Sequence, residues 1–580
     1  MTEFIDNLVA FLGNYYIVAA RFLFALIALY IFTHIRRGIM REQQPNRILA
    51  VLDIANGSNR LPVMHYETTI GRSKSCDVVI PLMFISRQHA VLSMTEKGRW
   101  RIWDTKSRGG ILINGRESED GESFDVGDEI SLAGVNMALR PPSAFDQRQA
   151  SKDSERGSNK FINKAKAFFS DKFKSKKEIS TTTALLALNL FQLLACLQLS
   201  LSLEQEHMLN LAIAFAFLFC APWASLGISK LIGIKNTLAQ TAAFFLTTLG
   251  FCTTLSAVPS EIIKLLCATA LGLVLYFVLC LVLKNLDLVM KLRNYTGAIS
   301  LLVLGANLVF GSTINGQRNW VRIGSITVQP SEFIKVLFVF TGSATLAWLL
   351  TSRNLTMLTV YAAGCIGMLA LMGDFGTALI FFFTFIVLIF MTSGDIRAIV
   401  LTCVSAVLAG LLVISFKPYI TDRFSVWGNV WEHVNDTGFQ QTRSLMAIAS
   451  GGLLGLGAGN GFLKSVFAAD TDLVFGLLCE EWGLLIGVLA VGCYILLLLG
   501  SIRSRVNTRS SYYVIAACAA ASVFLFQASL NIFGTVDILP ITGVTLPFVS
   551  NGGSSTVACW GLLSFITAAA NYTRKGGGRL

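Results

Sequence analysis

From residue 181 to residue 571 the sequence returns repeatedly to apolar runs of about 20 residues, the length that crosses a bilayer's hydrocarbon core as a helix. Twelve such runs are predicted spans, near 181–202, 208–228, 237–257, 261–283, 295–311, 331–352, 356–372, 375–392, 397–417, 472–499, 513–535 and 547–570. In hydrocarbon every backbone N–H and C=O must be satisfied within the segment, so this pattern dictates a helical bundle. Composition agrees: of 580 residues, 53% are hydrophobic and 14% charged, against about 25% charged in soluble domains. A wholly soluble protein is excluded. The 12 cysteines include no CxxC pair and many lie inside apolar runs, so they read as small buried hydrophobes, not as disulfides or metal ligands.

The first 180 residues are different. Residues 8–33 form one more apolar segment, interrupted by Arg21 at a cost of about 3 kcal/mol on insertion scales. No small-residue cleavage site follows, and His34-Ile-Arg-Arg comes next, so residues 1–40 are expected to be an uncleaved membrane anchor whose following side is cytoplasmic. Residues 46–142 carry short alternating runs such as Asp77-Val-Val-Ile, Trp100-Arg-Ile-Trp and Glu129-Ile-Ser-Leu between Gly, Asn and Asp turns, which predicts an all-β sandwich. Residues 143–180 read as a linker, with ten basic and four acidic residues between 148 and 178. Ile162, Ala165, Phe169 and Phe173 share one helical face there, so the linker is either a basic helix on an anionic leaflet or a solvated tether.

The charges then set an orientation. With the linker inside, the inner loops collect lysines and arginines such as Lys230, Lys284, Arg397 and Arg503, while the first two outer loops hold Glu204, Glu206 and Glu261 without a neighbouring cation before the next span. The net charge of +12 is thus read as a topology signal, and no nucleic-acid partner is expected. Two outer loops carry cations against that bias, 312–330 with Arg318 and Arg322, and 418–471 with Arg423, Arg443 and Lys464. Cations held there point to an anionic ligand.

In the β region, Ile70-Gly-Arg-Ser-Lys-Ser-Cys-Asp, Ile85-Ser-Arg-Gln-His-Ala, Trp103-Asp and Ile113-Asn-Gly resemble the forkhead-associated (FHA) domain. The resemblance implies phosphothreonine binding by Arg72 and Ser86, with Arg87 beside them and His89 structural. A guanidinium fork and a hydroxyl suit phosphate oxygens. Where the family usually has Ser-x-Asn-Gly-Thr this chain has Ser107-Arg-Gly-Gly-Ile, so Gly109 lacks the amide that grips a peptide backbone. The alternative is a module that docks without phosphate.

In the membrane region the chemistry-bearing blocks are Asn315-Gly-Gln-Arg-Asn-Trp-Val-Arg, Gln329-Pro-Ser-Glu-Phe-Ile-Lys, Gly373-Asp-Phe-Gly, the outer loop Asp422 to Ser444, the glycine run 451–461, Glu480-Glu481 and Leu539 to Ser555. Glu332 and Lys335 lie three apart on one helix face, either as a structural ion pair or as ligands. These blocks in this order resemble the shape, elongation, division and sporulation (SEDS) family, whose members include FtsW, RodA and SpoVE. The expected fold is a polytopic all-α membrane protein of about twelve spans plus the anchor, its domain over 181–575, with the soluble FHA sandwich before it.

The resemblance implies a glycosyltransferase that polymerises lipid II on the outer face of the cytoplasmic membrane, releasing undecaprenyl pyrophosphate. It implies Asp436 as catalytic carboxylate. Arg318, Glu332, Lys335, Asp374, Arg423, Gln440 and Arg443 are the substrate-binding candidates beside it, the arginines being equally readable as loop scaffolding or headgroup anchors. A class B penicillin-binding transpeptidase and a phosphothreonine protein are the expected partners. A divalent cation, Mg or Mn, is chemically plausible at the pyrophosphate, although no ligand cluster marks a metal site. A lipid II flippase and a phosphorylation-recruited scaffold are the other function classes.

Overall fold

The computed structural model describes residues 2–40, 48–146, 181–393, 427–504 and 510–572, together with 400, 403 and 404, apart from the short stretches 55–58, 65–66, 74–75, 95–98, 106, 119–120, 144–145, 315–316, 325 and 347–351. The linker beyond 146, the span expected at 397–417 apart from 400, 403 and 404, and Arg423 therefore lie outside the described residues.

The β region is a sandwich. One sheet holds β1 (Ala50–Ile54), β2 (Asn59–Val63), β7 (Ile111–Ile113), β8 (Arg116–Glu117), β10 (Glu129–Leu132) and β11 (Val135–Arg140), in the order β2-β1-β11-β10-β7-β8. The other holds β3 (Glu67–Gly71), β4 (Val78–Val79), β5 (Ala90–Met94), β6 (Trp100–Asp104) and β9 (Glu122–Phe124), in the order β4-β3-β5-β6-β9. Alternate residues of both sheets, among them Leu52, Ile70, Leu92, Ile102, Ile130 and Leu139, fill the shared core. This is the period-2 burial that the alternating runs predict.

The membrane region begins with α1 (Thr2–Met40) and continues with α2 (Thr181–Ser202), α3 (Met208–Ile232), α4 (Leu238–Ala257), α5 (Ile262–Leu283), α6 (Leu286–Phe310), α7 (Pro330–Leu346), α8 (Ser352–Leu371) and α9 (Phe375–Ser393). It ends with α10 (Phe439–Gly451), α11 (Val474–Trp482), α12 (Leu484–Arg503), α13 (Ser511–Thr535) and α14 (Gly553–Asn571). Among the described residues nine helical segments are long and apolar enough to cross a membrane. The chain is a multi-pass membrane protein. Helices α4, α13 and α14 are buried along almost their whole length, and the others surround them.

Two expectations need correction. The span expected over 472–499 is broken at Gly483, whose φ of 89° leaves the helical region, into the short buried α11 and the longer α12. A Cβ at Gly483 would fall 2.4 Å from the Leu453 carbonyl oxygen, so the glycine-run backbone packs directly on the break and leaves no room there for a side chain. The stretch 418–471, expected as loop, contains α10. The first helix does more than anchor. Its Phe24 ring packs on Phe191 of α2 at 5.0 Å and on Trp482 of α11 at 4.8 Å, and the Tyr16 hydroxyl donates to the Leu194 carbonyl at 2.6 Å.

The sandwich meets the bundle at the start of α13. The Ser510 hydroxyl donates to Glu67 Oε1 at 2.7 Å, and the Ser511 N–H to Glu67 Oε2 at 2.9 Å. Ser510 Oγ in turn accepts the Tyr512 N–H at 3.3 Å, so β3 and Ser510 together satisfy amides at this helix start. The other end of the 25-residue α13 lies about 37 Å away at 1.5 Å per residue. That far end carries the long loops.

Candidate active site

At the loop end, a three-stranded hairpin follows α6: β12 (Ser312–Ile314), β13 (Gln317–Ile323) and β14 (Ile326–Val328). The α8–α9 turn holds it in place. Gly373, at φ 80°, bends the chain so that Asp374 precedes α9 and accepts the Thr377 N–H on Oδ1 at 3.1 Å, an N-cap geometry. The other oxygen, Oδ2, accepts Asn319 Nδ2 at 2.9 Å and Gln329 Nε2 at 3.1 Å, and the Arg318 N–H donates to the Met372 carbonyl at 2.9 Å. Asp374 is buried with both oxygens occupied, which makes it a clamp on the hairpin. Arg318 is engaged locally as well. Its Nε donates to the Gly311 carbonyl at 3.0 Å and its Nη2 to the Val309 carbonyl at 2.9 Å, closing the C-terminus of α6.

Glu332 and Lys335 form a buried ion pair of 2.8 Å on α7. Lys335 Nζ also donates to Gln527 Oε1 of α13 at 2.9 Å, and Gln527 Nε2 donates to the Thr545 carbonyl and hydroxyl at 3.0 Å each. The Thr545 and Ser555 hydroxyls are 2.7 Å apart. One polar network thus ties α7, α13, α14 and the 539–552 segment, which is what makes burial of these two charges tolerable.

Asp436 sits in the turn ahead of α10 with an exposed side chain. Its N–H donates to the His433 carbonyl at 3.1 Å and its carbonyl accepts the Phe439 N–H at 3.2 Å. Gly438 between them leaves no room for a side chain, because a Cβ would lie 2.6 Å from the Val430 carbonyl oxygen. One turn into α10, the Arg443 guanidinium lies 5.1 Å from the centre of the Phe439 ring. Gln440 Nε2 donates to the Phe467 carbonyl at 3.0 Å, joining α10 to the segment after the glycine run.

The glycine run 451–461 wraps the end of α11. Leu456 and Gly457 donate to the Glu480 and Glu481 carbonyls at 2.8 and 2.9 Å, and the Glu480 carboxylate accepts the Phe462 and Leu463 N–H groups at 3.0 Å each. A Cβ at Gly455 would come 2.2 Å from the Glu481 carbonyl oxygen. From α1, Arg21 Nη2 donates to the Leu456 carbonyl. The final motif is fastened to the same region: Ser550 Oγ donates to the Thr471 carbonyl at 2.7 Å and Asn551 Nδ2 to Asp470 Oδ2 at 2.9 Å.

Several residues of this end were not singled out from sequence. Gln527 and Asn531 of α13 hold Lys335 and the Asp472 and Val544 carbonyls, and Asp537, at φ 60°, accepts Gln441 Nε2 at 3.3 Å and the Gly428 N–H at 3.5 Å. Burial raises the Asp537 carboxyl above the ordinary carboxylate value against the pull of the Gly428 N–H. An amide inside an apolar run was the available signal for Gln527 and Asn531. Among the described residues no three His, Cys, Asp or Glu side chains gather as a metal site, and Asp374, the most enclosed acid of the hairpin region, has its oxygens filled by amide donors.

In the sandwich, Ser86 and Arg72 are adjacent: the Arg72 N–H donates to the Ser86 carbonyl at 3.0 Å, and the Ser73 N–H to the Arg87 carbonyl at 2.9 Å. Arg72 and Arg87 are exposed. His89 is fully buried, accepts the Ser86 N–H on Nδ1 at 3.2 Å and lies 3.1 Å through Nε2 from the Gly110 carbonyl, so it bridges two loops of the site.

Residues 231–575 match the sequence model of the FtsW, RodA and SpoVE family, described as cell cycle proteins, and residues 68–133 match that of the FHA domain. A probable peptidoglycan glycosyltransferase FtsW of Coxiella burnetii is 31% identical over 279 residues, 45% of this chain and 75% of that protein. Stage V sporulation protein E of Bacillus subtilis is 30% identical over 286 residues, 47% of this chain and 77% of that protein. A chain from a solved peptidoglycan synthase complex is 26% identical with a TM-score of 0.49, covering 57% of this chain and 96% of its own. With its membrane bundle and the ordered loop motifs at one end, the chain belongs to the FtsW/RodA/SpoVE family and is a multi-pass peptidoglycan glycosyltransferase that also carries an FHA domain.

Proposed function

We propose that the chain polymerises glycan strands from lipid II at the outer face of the cytoplasmic membrane, with Asp436 as the general base. The observation that carries this reading is the placement of an exposed carboxylate in a fixed turn ahead of α10, with the Arg443 cation one turn into that helix. In the reaction the acceptor sugar's 4-hydroxyl oxygen attacks the donor's anomeric carbon from the face opposite the pyrophosphate, inverting it. Asp436 takes the hydroxyl proton as the new C–O bond forms. The anomeric bond to the pyrophosphate oxygen breaks with its electron pair, releasing undecaprenyl pyrophosphate, and cations at Arg443 and Arg423 offset the developing charge. A divalent cation there would supply further charge neutralisation.

A flippase would need charges free to line a path through the bundle. Glu332 and Lys335 are instead closed on each other and on Gln527, which favours the transferase. The FHA domain, on the cytoplasmic side, docks a phosphothreonine protein through Arg72, Ser86 and Arg87, and a class B penicillin-binding transpeptidase cross-links the product.

Purified full-length protein given lipid II is expected to yield glycan strands resolved by gel electrophoresis. Asp436→Ala should slow polymerisation by about 10²–10⁴-fold, the usual contribution of a positioned base. Polymerisation by that variant at the wild-type rate would remove Asp436 from the mechanism.

A further inference from the structure

We infer that Arg108 is a third phosphate-binding side chain of the FHA domain, and that its ligand is a phosphothreonine segment with further acidic residues, read chiefly through charge. This rests on the phosphothreonine reading of Arg72 and Ser86. The Arg108 N–H donates to Ser86 Oγ at 3.1 Å. That bond uses a lone pair of the hydroxyl and leaves its proton for an incoming phosphate oxygen. It also places the Arg108 backbone against the Ser86 side chain, while the Arg72 N–H holds the Ser86 carbonyl at 3.0 Å. Arg72, Arg87 and Arg108 are all exposed, and their backbones are linked to one another through Ser86 and its neighbours: Arg108 by the Ser86 hydroxyl, Arg72 by the Ser86 carbonyl, and Arg87, next in the chain, by its carbonyl to the Ser73 N–H.

The next position explains why charge dominates. A Cβ at Gly109 would lie 2.2 Å from the Cβ of Ala133, and Ala133 cannot readily yield. It forms with Gly134 the two-residue turn between β10 and β11, where Leu132 pairs with Val135, and both turn residues have positive φ, 49° and 86°. The Ala133 N–H further donates to the Gly110 carbonyl at 3.3 Å. No side chain fits at 109 while Ala133 is present, so the amide that would fix a peptide's backbone register is excluded by packing. What remains beside Ser86 is a set of cations, which form strong charge-assisted bonds to phosphate and carboxylate oxygens with little demand on register.

The test is binding of fluorescent peptides to the full-length protein in nanodiscs. The probes are a phosphothreonine peptide flanked by aspartates, the same peptide flanked by alanines, and the unphosphorylated aspartate peptide. The inference expects wild type to bind the acidic phosphopeptide at least 5-fold more tightly than the alanine-flanked one. Arg108→Ala should weaken phosphopeptide binding by 10-fold or more, with Arg108→Lys intermediate. The pair Gly109→Asn with Ala133→Gly should tighten the alanine-flanked peptide, whereas Gly109→Asn alone should not. Phosphate-dependent binding that is lost in Arg72→Ala but unchanged in Arg108→Ala overturns the inference and leaves the phosphothreonine reading standing. Absence of phosphate-dependent binding in wild type overturns both.

Discussion

Glu67 and Ser510 lie 443 positions apart in the chain, yet Glu67 Oε1 accepts the Ser510 hydroxyl at 2.7 Å. A carboxylate of the soluble domain thereby caps a helix of the membrane domain. Burial raises the Glu67 carboxyl above its ordinary value, against the opposing pull of the Ser510 and Ser511 bonds. An acid whose value is raised in the docked state binds a proton more readily there than when free, so docking tightens as pH falls through the raised value and weakens as pH rises past it. Spin-label distances between the sandwich and the start of α13 should shorten and narrow at the acid end of that window. Glu67→Gln should remove the pH dependence, and Glu67→Ala should broaden the distances at every pH.

Breaking the Glu332–Lys335 pair on one side leaves a buried charge alone. Lys335→Met is expected to cost about 3–5 kcal/mol, while Glu332→Gln with Lys335→Met should recover most of that loss. Thermal unfolding in detergent reads the stability, and the polymerisation assay separates the two roles of the pair. A stable but inactive double variant would show that these charges contact substrate, and a stable active one that they serve packing.

Gly455 is a position where both space and backbone demand glycine: its φ is 83° and a Cβ would lie 2.2 Å from the Glu481 carbonyl oxygen. Gly455→Ala should therefore lower the yield of folded, monodisperse protein on size-exclusion chromatography. The same substitution at Gly367, where a Cβ meets nothing within 4 Å, should leave it unchanged.

Asp374→Ala removes the acceptor for Asn319, Gln329 and the Thr377 N–H at once. Hydrogen bonds to a charged group are worth about 1.5–3 kcal/mol each, so the hairpin should loosen while the bundle stays folded. Hydrogen exchange across β13 and β14 is expected to accelerate by at least 10-fold, with exchange in α4 unchanged.

Much of this architecture is legible in the sequence because apolar length and period-2 burial are strong, local signals. The α2 boundaries, Thr181 and Ser202, coincide with the ends of an apolar run, and the alternation of Trp100-Arg-Ile-Trp reappears as alternating burial in β6. Hydropathy is blind to a backbone break inside an apolar stretch, which is why Gly483 does not announce the division of α11 from α12. It is blind also to α10, a 13-residue helix that buries Ser444, Ala447 and Gly451, small residues at three- and four-residue spacing. Motif reading locates Asp374, Glu332 and Lys335, but their partners Asn319, Gln329 and Gln527 come from other segments and need tertiary structure to be seen. Arg318 illustrates the converse. Its position against the charge bias marks it as a ligand candidate, whereas two of its guanidinium nitrogens are spent on carbonyls at the end of α6.

Arg21 gives the chain a problem of timing. Its acceptor, the Leu456 carbonyl, is synthesised 435 residues later. During that interval the arginine is without its native partner, and an arginine at the centre of a membrane helix costs about 3 kcal/mol on insertion scales. Closure of this bond, together with the packing of Phe24 on Trp482, ties the first helix to the last third of the protein only after that third has been made, so a chain cut short keeps an arginine in its first membrane helix without its native acceptor.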